Sequence, residues 1–182
     1  MCAPVLTWFA AYGVHMILAD TDILSALAKI GRLPLLFSLF QTPELHVTPG
    51  VFAELAHSFN LGHQYAKDVF ALLTTGQIQV AYLTSDEVAL RDSLSATLGT
   101  GERESIAVAR VRGGTVLSNE SRVAHYCRQY GVPCLRLPDI LRALWVEGVV
   151  SKEEVQDIVH DVQEKDRMQF KPAVLEAIFA DD

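Results

Sequence analysis

Met16-Ile17-Leu18-Ala19-Asp20-Thr21-Asp22-Ile23-Leu24-Ser25-Ala26-Leu27 is the stretch on which the fold turns. Its first four residues are too few and too uniformly apolar for an amphipathic helix, and read as a strand buried in a parallel sheet. The apolar run then stops on Asp20. After it, Ile23, Leu24, Leu27, Ala28 and Ile30 recur at helical spacing, with Thr21 or Asp22 as N-cap and Gly31 as the stop. The pattern is strand, acid, helix. In an open parallel sheet ligands sit outside the carboxyl ends of the strands, so an acid at that junction is well placed for chemistry. Taken alone, Asp20 is equally a helix cap.

The same grammar recurs along the chain. Leu33 to Phe40 reads as a buried helix with Pro34 near its start, and Leu45 to Thr48 as a strand. Thr48-Pro49 opens a helix that carries Glu54, and His63 to Thr75 forms another, stopped by Gly76. Ile78 to Leu83 alternates as a third strand, and Thr84 with Glu87 makes a capping box. Gly101 begins a small-residue helix with Glu102 and Glu104 in its opening turn. Thr115 to Ser118 is a strand ended by Asn119-Glu120, and Pro133 to Leu137 the last. Pro138 opens a helix through Trp145, and a final amphipathic stripe runs through Val155, Ile158, Val159 and Val162. Strands alternating with helices predict an α/β domain with a central parallel sheet and a helical C-terminal segment.

Composition sets the frame around that pattern. With 182 residues, half of them apolar, the chain can bury a sizeable core in one domain. A net charge of −7 argues against a protein that coats nucleic acid irrespective of sequence, while leaving room for a local basic groove. Cys2, Cys127 and Cys134 form no Cys-x-x-Cys pair and are odd in number, which speaks against a disulfide framework or a structural zinc and points to a reducing cytoplasm. Residues 1–15 are apolar but lack a basic n-region and a cleavage site, so they read as an extension or a start placed too early, and no membrane association is expected.

Asp20, Glu54, the Glu102/Glu104 pair and Asn119-Glu120 all fall at strand ends or helix starts. Converging carboxylates repel one another unless a cation sits among them, and hard divalent ions with oxygen ligands are the usual answer. Such a pocket suits phosphodiester hydrolysis by activated water. No catalytic histidine pair or lysine is in view for activating a ribose 2′-hydroxyl. The arginines Arg103, Arg110, Arg112, Arg122 and Arg128 are either solvated charges or phosphate contacts.

Four local patterns resemble the PIN-domain ribonucleases, the group that includes VapC-like toxins, over roughly residues 16–145. Asp-Thr-Asp-Ile-Leu from Asp20 is similar to the opening motif. Thr-Pro-Gly-Val-Phe-Ala-Glu-Leu resembles the second, with Glu54 as its glutamate. Gly-Glu-Arg-Glu-Ser-Ile-Ala-Val-Ala is similar to a Gly-Glu-x-Glu-Ala-Ile-Ala variant of the third. Leu-Ser-Asn-Glu-Ser-Arg resembles the closing motif, with Glu120 where aspartate is commoner. The resemblance implies a three-layer α/β/α fold, with a nuclease domain over 16–147 and a helical segment over 148–182 packed on it. It further implies catalytic Asp20, Glu54, Glu102 and Glu120, and a supporting set of Thr21, Asp22, Glu104 and Asn119, with Thr21 holding the first aspartate. Mg2+ or Mn2+ would be held by Asp20, Glu54, Glu102, Glu104 and Glu120, with Glu102 favoured over Glu104 as the principal ligand. RNA is the expected substrate, an antitoxin protein a candidate partner, and a homodimer or higher homo-oligomer the expected assembly. Asp22 in place of a small polar residue, and glutamate at 120, are the departures. Two other readings stand beside this one: a degenerate PIN domain that binds RNA or a protein without cutting, and a haloacid-dehalogenase-like phosphatase, which the lack of any lysine between Lys67 and Lys152 weakens.

Overall fold

The computed structural model describes residues 16–180, and the reading of 1–15 lies outside them. Five short strands form one sheet: β1 (Ile17–Ala19), β2 (Leu45–Val47), β3 (Ile78–Val80), β4 (Thr115–Leu117) and β5 (Cys134–Leu135). All pairings are parallel, in the order β3-β2-β1-β4-β5. The helices are α1 (Thr21–Lys29), α2 (Pro34–Phe40), α3 (Pro49–Asn60), α4 (Gln64–Thr74), α5 (Ser85–Ser93), α6 (Thr100–Arg112), α7 (Ser121–Gln129), α8 (Leu137–Val146), α9 (Lys152–Asp161) and α10 (Pro172–Phe179). A single π-helical turn, Val162–Asp166, follows α9.

Successive side chains of a strand face opposite ways, and the core divides accordingly. Ile17, Ala19, Leu45, Val47, Ile78 and Leu117 join a large cluster with residues of α1, α2, α3, α4, α8, α9 and α10. Leu18 and Val116 point the other way, into a smaller cluster with Ile106 and Val108 of α6 and Val123 and Cys127 of α7. Helices therefore cover both faces, the expected α/β/α arrangement. The predicted C-terminal stripe is buried in the larger cluster at Val155, Ile158, Val159 and Val162. Ile178 of α10 is buried there too, and its carbonyl accepts the Trp145 indole N–H at 2.8 Å.

Because every strand runs the same way, all five carboxyl ends lie on one rim. β1 and β2 deliver Asp20 and Thr48 to it, and β4 delivers Ser118, Asn119 and Glu120. No single helix among the described residues is long and apolar enough to cross a membrane; α1 and α2 would qualify only as a pair, bent by 118°.

Candidate active site

Asp20 sits at the centre of the rim because β1 is the central strand. Its backbone N–H extends the β1–β4 ladder to Leu117 O at 2.9 Å, and the chain then turns into α1 with Asp20 as N-cap. The side chain is only 8% exposed. One carboxylate oxygen accepts the Thr21 amide at 2.9 Å, and the other accepts the Ser118 hydroxyl at 3.0 Å. Ser118 is itself fully buried, and its Oγ accepts the Glu120 amide at 3.3 Å. Ser118 thus ties the acid after β1 to the acid after β4. Sequence reasoning passed over it. The available signal was a small hydroxyl closing the apolar triplet of β4, two residues before Glu120.

Thr21 holds Asp20 through its backbone; its hydroxyl goes elsewhere, donating to Glu54 Oε2 at 2.7 Å. That bond brings the acid of α3 to the first turn of α1. Asp22 has a comparable bridging role: one oxygen accepts the Ile23 amide at 2.6 Å and the other accepts the Asn119 amide at 2.7 Å. Asn119 in turn accepts the Leu137 amide at 2.8 Å through Oδ1, which fixes the start of α8. Asn119 is therefore a corner post between three elements.

Glu102 and Glu104 part company. Both were placed in the opening turn of α6, but only Glu102 lies there. Its Oε2 accepts the Gly99 amide at 2.7 Å, one half of a capping box, since Gly99 has no side chain to return the bond. Glu104 is 5% exposed, and its Oε2 accepts the Gly50 amide at 2.7 Å, with Arg91 3.8 Å from Oε1. The expected Thr48 cap of α3 makes no side-chain bond to that helix; its hydroxyl faces Gly101 O at 3.5 Å, and Glu104 supplies the acceptor from α6 instead. Glycines make this possible. A Cβ on Gly50 would stand 2.7 Å from Gly101 N, and one on Gly101 would stand 2.9 Å from Val51 Cγ2, so the two helix starts touch backbone to backbone. That contact sets Glu54 and Glu102 on neighbouring helices at one end of the sheet.

The electrostatics show which acids face one another. Burial, then the charge of Asp22 and more weakly that of Glu54, push the Asp20 carboxyl up to about 7, against the bonds from Thr21 and Ser118 that favour the anion. Burial also raises Asp22, to about 6, with Glu120 and Glu102 adding to it. Asp20, Asp22, Glu54, Glu102 and Glu120 are thus linked electrostatically as one anionic group. The all-oxygen donor set fits a hard divalent cation. Among the described residues no three of these carboxylates are drawn together closely enough to ring an ion as they stand.

Of the arginines, Arg112 lies away from the acids and forks onto buried Glu87 at 2.6 and 2.8 Å. Arg122 spans from α7 to Thr97 O at 2.9 Å, between the segments that carry Glu120 and Glu102.

A family model described as a PIN domain matches residues 16–181. The chain belongs to the PIN-domain family. Among solved structures, a PilT N-terminus domain protein from the hyperthermophilic archaeon Sulfolobus solfataricus is similar at a TM-score of 0.46 and 13% identity, over 86% of this chain and 98% of that chain. No curated protein matches. The family match spans α9 and α10 as well as the sheet.

Proposed function

We propose that this PIN domain is a metal-dependent ribonuclease that hydrolyses RNA phosphodiester bonds. The observation that carries the reading is the gathering of acids at the rim: a buried Asp20 raised to about 7, with Asp22 and Glu54 adding to the shift. Such an arrangement is costly for a fold to maintain and becomes favourable once a divalent cation is bound. Asp20, Glu54, Glu102 and Glu120 would hold Mg2+ or Mn2+, with Asp22 beside them. The ion would polarise the phosphodiester and ease ionisation of the attacking water.

The remaining chemistry belongs to the chain. Ser118 and the Thr21 amide fix the Asp20 carboxylate, and the Thr21 hydroxyl fixes Glu54, so two donors from distant segments are oriented before any ligand arrives. Glu104, bound to the Gly50 amide beside Arg91, acts here as a positioning residue between α3 and α6 rather than as a ligand. Because the sequence shows no catalytic histidine pair or lysine to activate a ribose 2′-hydroxyl, water is the nucleophile in this reading, and the products carry 5′-phosphate and 3′-hydroxyl ends. A toxin role with a protein antitoxin is one setting for this activity.

End-labelled RNA tests the reading. Cleavage is expected with Mg2+ or Mn2+, little with Ca2+, and none in excess chelator. Ends bearing 2′,3′-cyclic phosphate, or cutting that persists in chelator, would overturn it. The spacing of the carboxylates favours a second reading, a PIN domain that binds RNA without cutting, and that reading requires that Mn2+ titration give no binding.

A further inference from the structure

Cys127 and Cys134, seven positions apart, come together on the face of the sheet opposite the larger core. The path that joins them is short. The Cys127 carbonyl accepts the Val132 amide at 2.7 Å, which turns the chain sharply at the end of α7 and sends it back as β5. Val132 and Cys134 then share one face of the extended segment, and both pack in the cluster that contains Cys127. Cys134 pairs in register with Val116 of β4. The two thiols are free, and their side chains are neighbours within that cluster. Cys127 is fully enclosed, whereas Cys134 is half-buried and reachable from solvent.

We propose that Cys127 and Cys134 are a peroxide-oxidisable dithiol that closes to a disulfide behind the acidic rim. The chemistry balances with a hydroperoxide as oxidant. The Cys134 thiolate attacks a peroxide oxygen, the O–O bond breaks, one water leaves after protonation, and Cys134 becomes a sulfenic acid. The Cys127 sulfur then attacks the Cys134 sulfur, the S–O bond breaks, the Cys127 proton is lost and a second water departs. Two thiols and one hydrogen peroxide give one disulfide and two waters. The two residues divide these roles by their surroundings. The neighbouring Cys127 side chain holds the Cys134 thiol below the ordinary cysteine range, which favours its thiolate, while the same pairing and burial hold Cys127 above it. Cys134 attacks first because it is the more exposed, and Cys127 resolves because it packs in the same cluster beside it.

The position gives the bond a consequence. α7 begins directly after Glu120, and β5 runs into Leu137, whose amide is held by Asn119 Oδ1. A covalent link between α7 and β5 therefore clamps the two supports of the Asn119-Glu120 corner to each other. The inference does not depend on the nuclease reading.

The test is peroxide treatment of the whole reduced protein, followed by alkylation and a non-reducing peptide map. Free thiols are expected to fall from the three in the sequence to one, with a single cross-linked peptide joining Cys127 to Cys134 and full recovery in dithiothreitol. Cys134→Ala should abolish the cross-link and slow the first oxidation at least tenfold, because Cys127 is enclosed. Cys127→Ala should instead leave Cys134 trapped as a dimedone-reactive sulfenic acid. Retention of all three thiols under peroxide that oxidises free cysteine, a cross-link made through Cys2, or oxidation of Cys134→Ala at the wild-type rate would each overturn the proposal.

Discussion

Replacing Asp20 by asparagine should make this protein more stable at alkaline pH while abolishing the proposed RNA cleavage. The carboxyl titrates near 7 in the folded chain against an ordinary 3.8, so the folded state binds that proton more tightly than the unfolded state does. The sign follows: the acid costs nothing below about 4, where both states are protonated, and its penalty grows as pH rises until it levels off above about 7. Roughly three pKa units at about 1.36 kcal/mol each give a ceiling near 4 kcal/mol, of which about 1–2 is already present at pH 5. Asparagine removes the penalty but keeps only one acceptor, so the Thr21 amide is satisfied while the Ser118 hydroxyl loses its partner, at about 1 kcal/mol. The variant should therefore be about 2–3 kcal/mol more stable than wild type at pH 8, several degrees in Tm, and level or slightly weaker at pH 4. Urea or thermal melts of both proteins from pH 4 to 8 in chelator measure this. Stability curves that run parallel across that range, or a variant less stable at pH 8, would refute the account of a charge held at a cost.

Three further expectations follow from the same geometry. Mn2+ must displace protons from Asp20 and Asp22, so calorimetric titration should show affinity falling about tenfold per pH unit below 7 and more steeply below 6; a pH-independent affinity would count against both residues. Glu102→Gln should weaken Mn2+ binding by an order of magnitude or more, whereas Glu104→Gln, which keeps an acceptor for the Gly50 amide, should leave it within about threefold; the reverse ranking would return Glu104 to the ligand set. Glu87→Gln should destabilise by about 1–2 kcal/mol through the lost fork to Arg112. There the pH sign is opposite to that of Asp20, because the guanidinium holds the Glu87 carboxyl below its usual range, so the stabilisation is present near neutrality and fades in acid.

The strand-acid-helix pattern at residues 16–27 was legible because a parallel strand buried on both faces leaves a continuous apolar run in the sequence. The acids that end such runs, Asp20 and Glu120, could be read for the same reason. What escaped reading was written in contacts between distant segments. Thr48 before Pro49 has the form of a cap, yet the acceptor for α3 comes from Glu104, 54 residues away from Gly50. Glu102 and Glu104 have similar neighbours in sequence, and only the helical turn separates one facing the aspartates from one facing α3. Ser118 looked like a strand end until its hydroxyl was seen on Asp20, 98 residues earlier. The cysteines were read by spacing and number, whereas their meeting depends on the turn made by Val132.

The strand order has a consequence for how the molecule comes into being. β1 lies between β2 and β4, and is paired on one side by a strand made soon after it and on the other by one made about a hundred residues later. A growing chain that ends before β4 has an apolar central strand with one edge open, the sort of edge that recruits any strand nearby. It also has Asp20 without Ser118, Asn119 or Glu120. The acidic rim is therefore completed by the same event that seals the sheet: the pairing of β4 with β1 closes the open edge and brings Ser118 to Asp20 together.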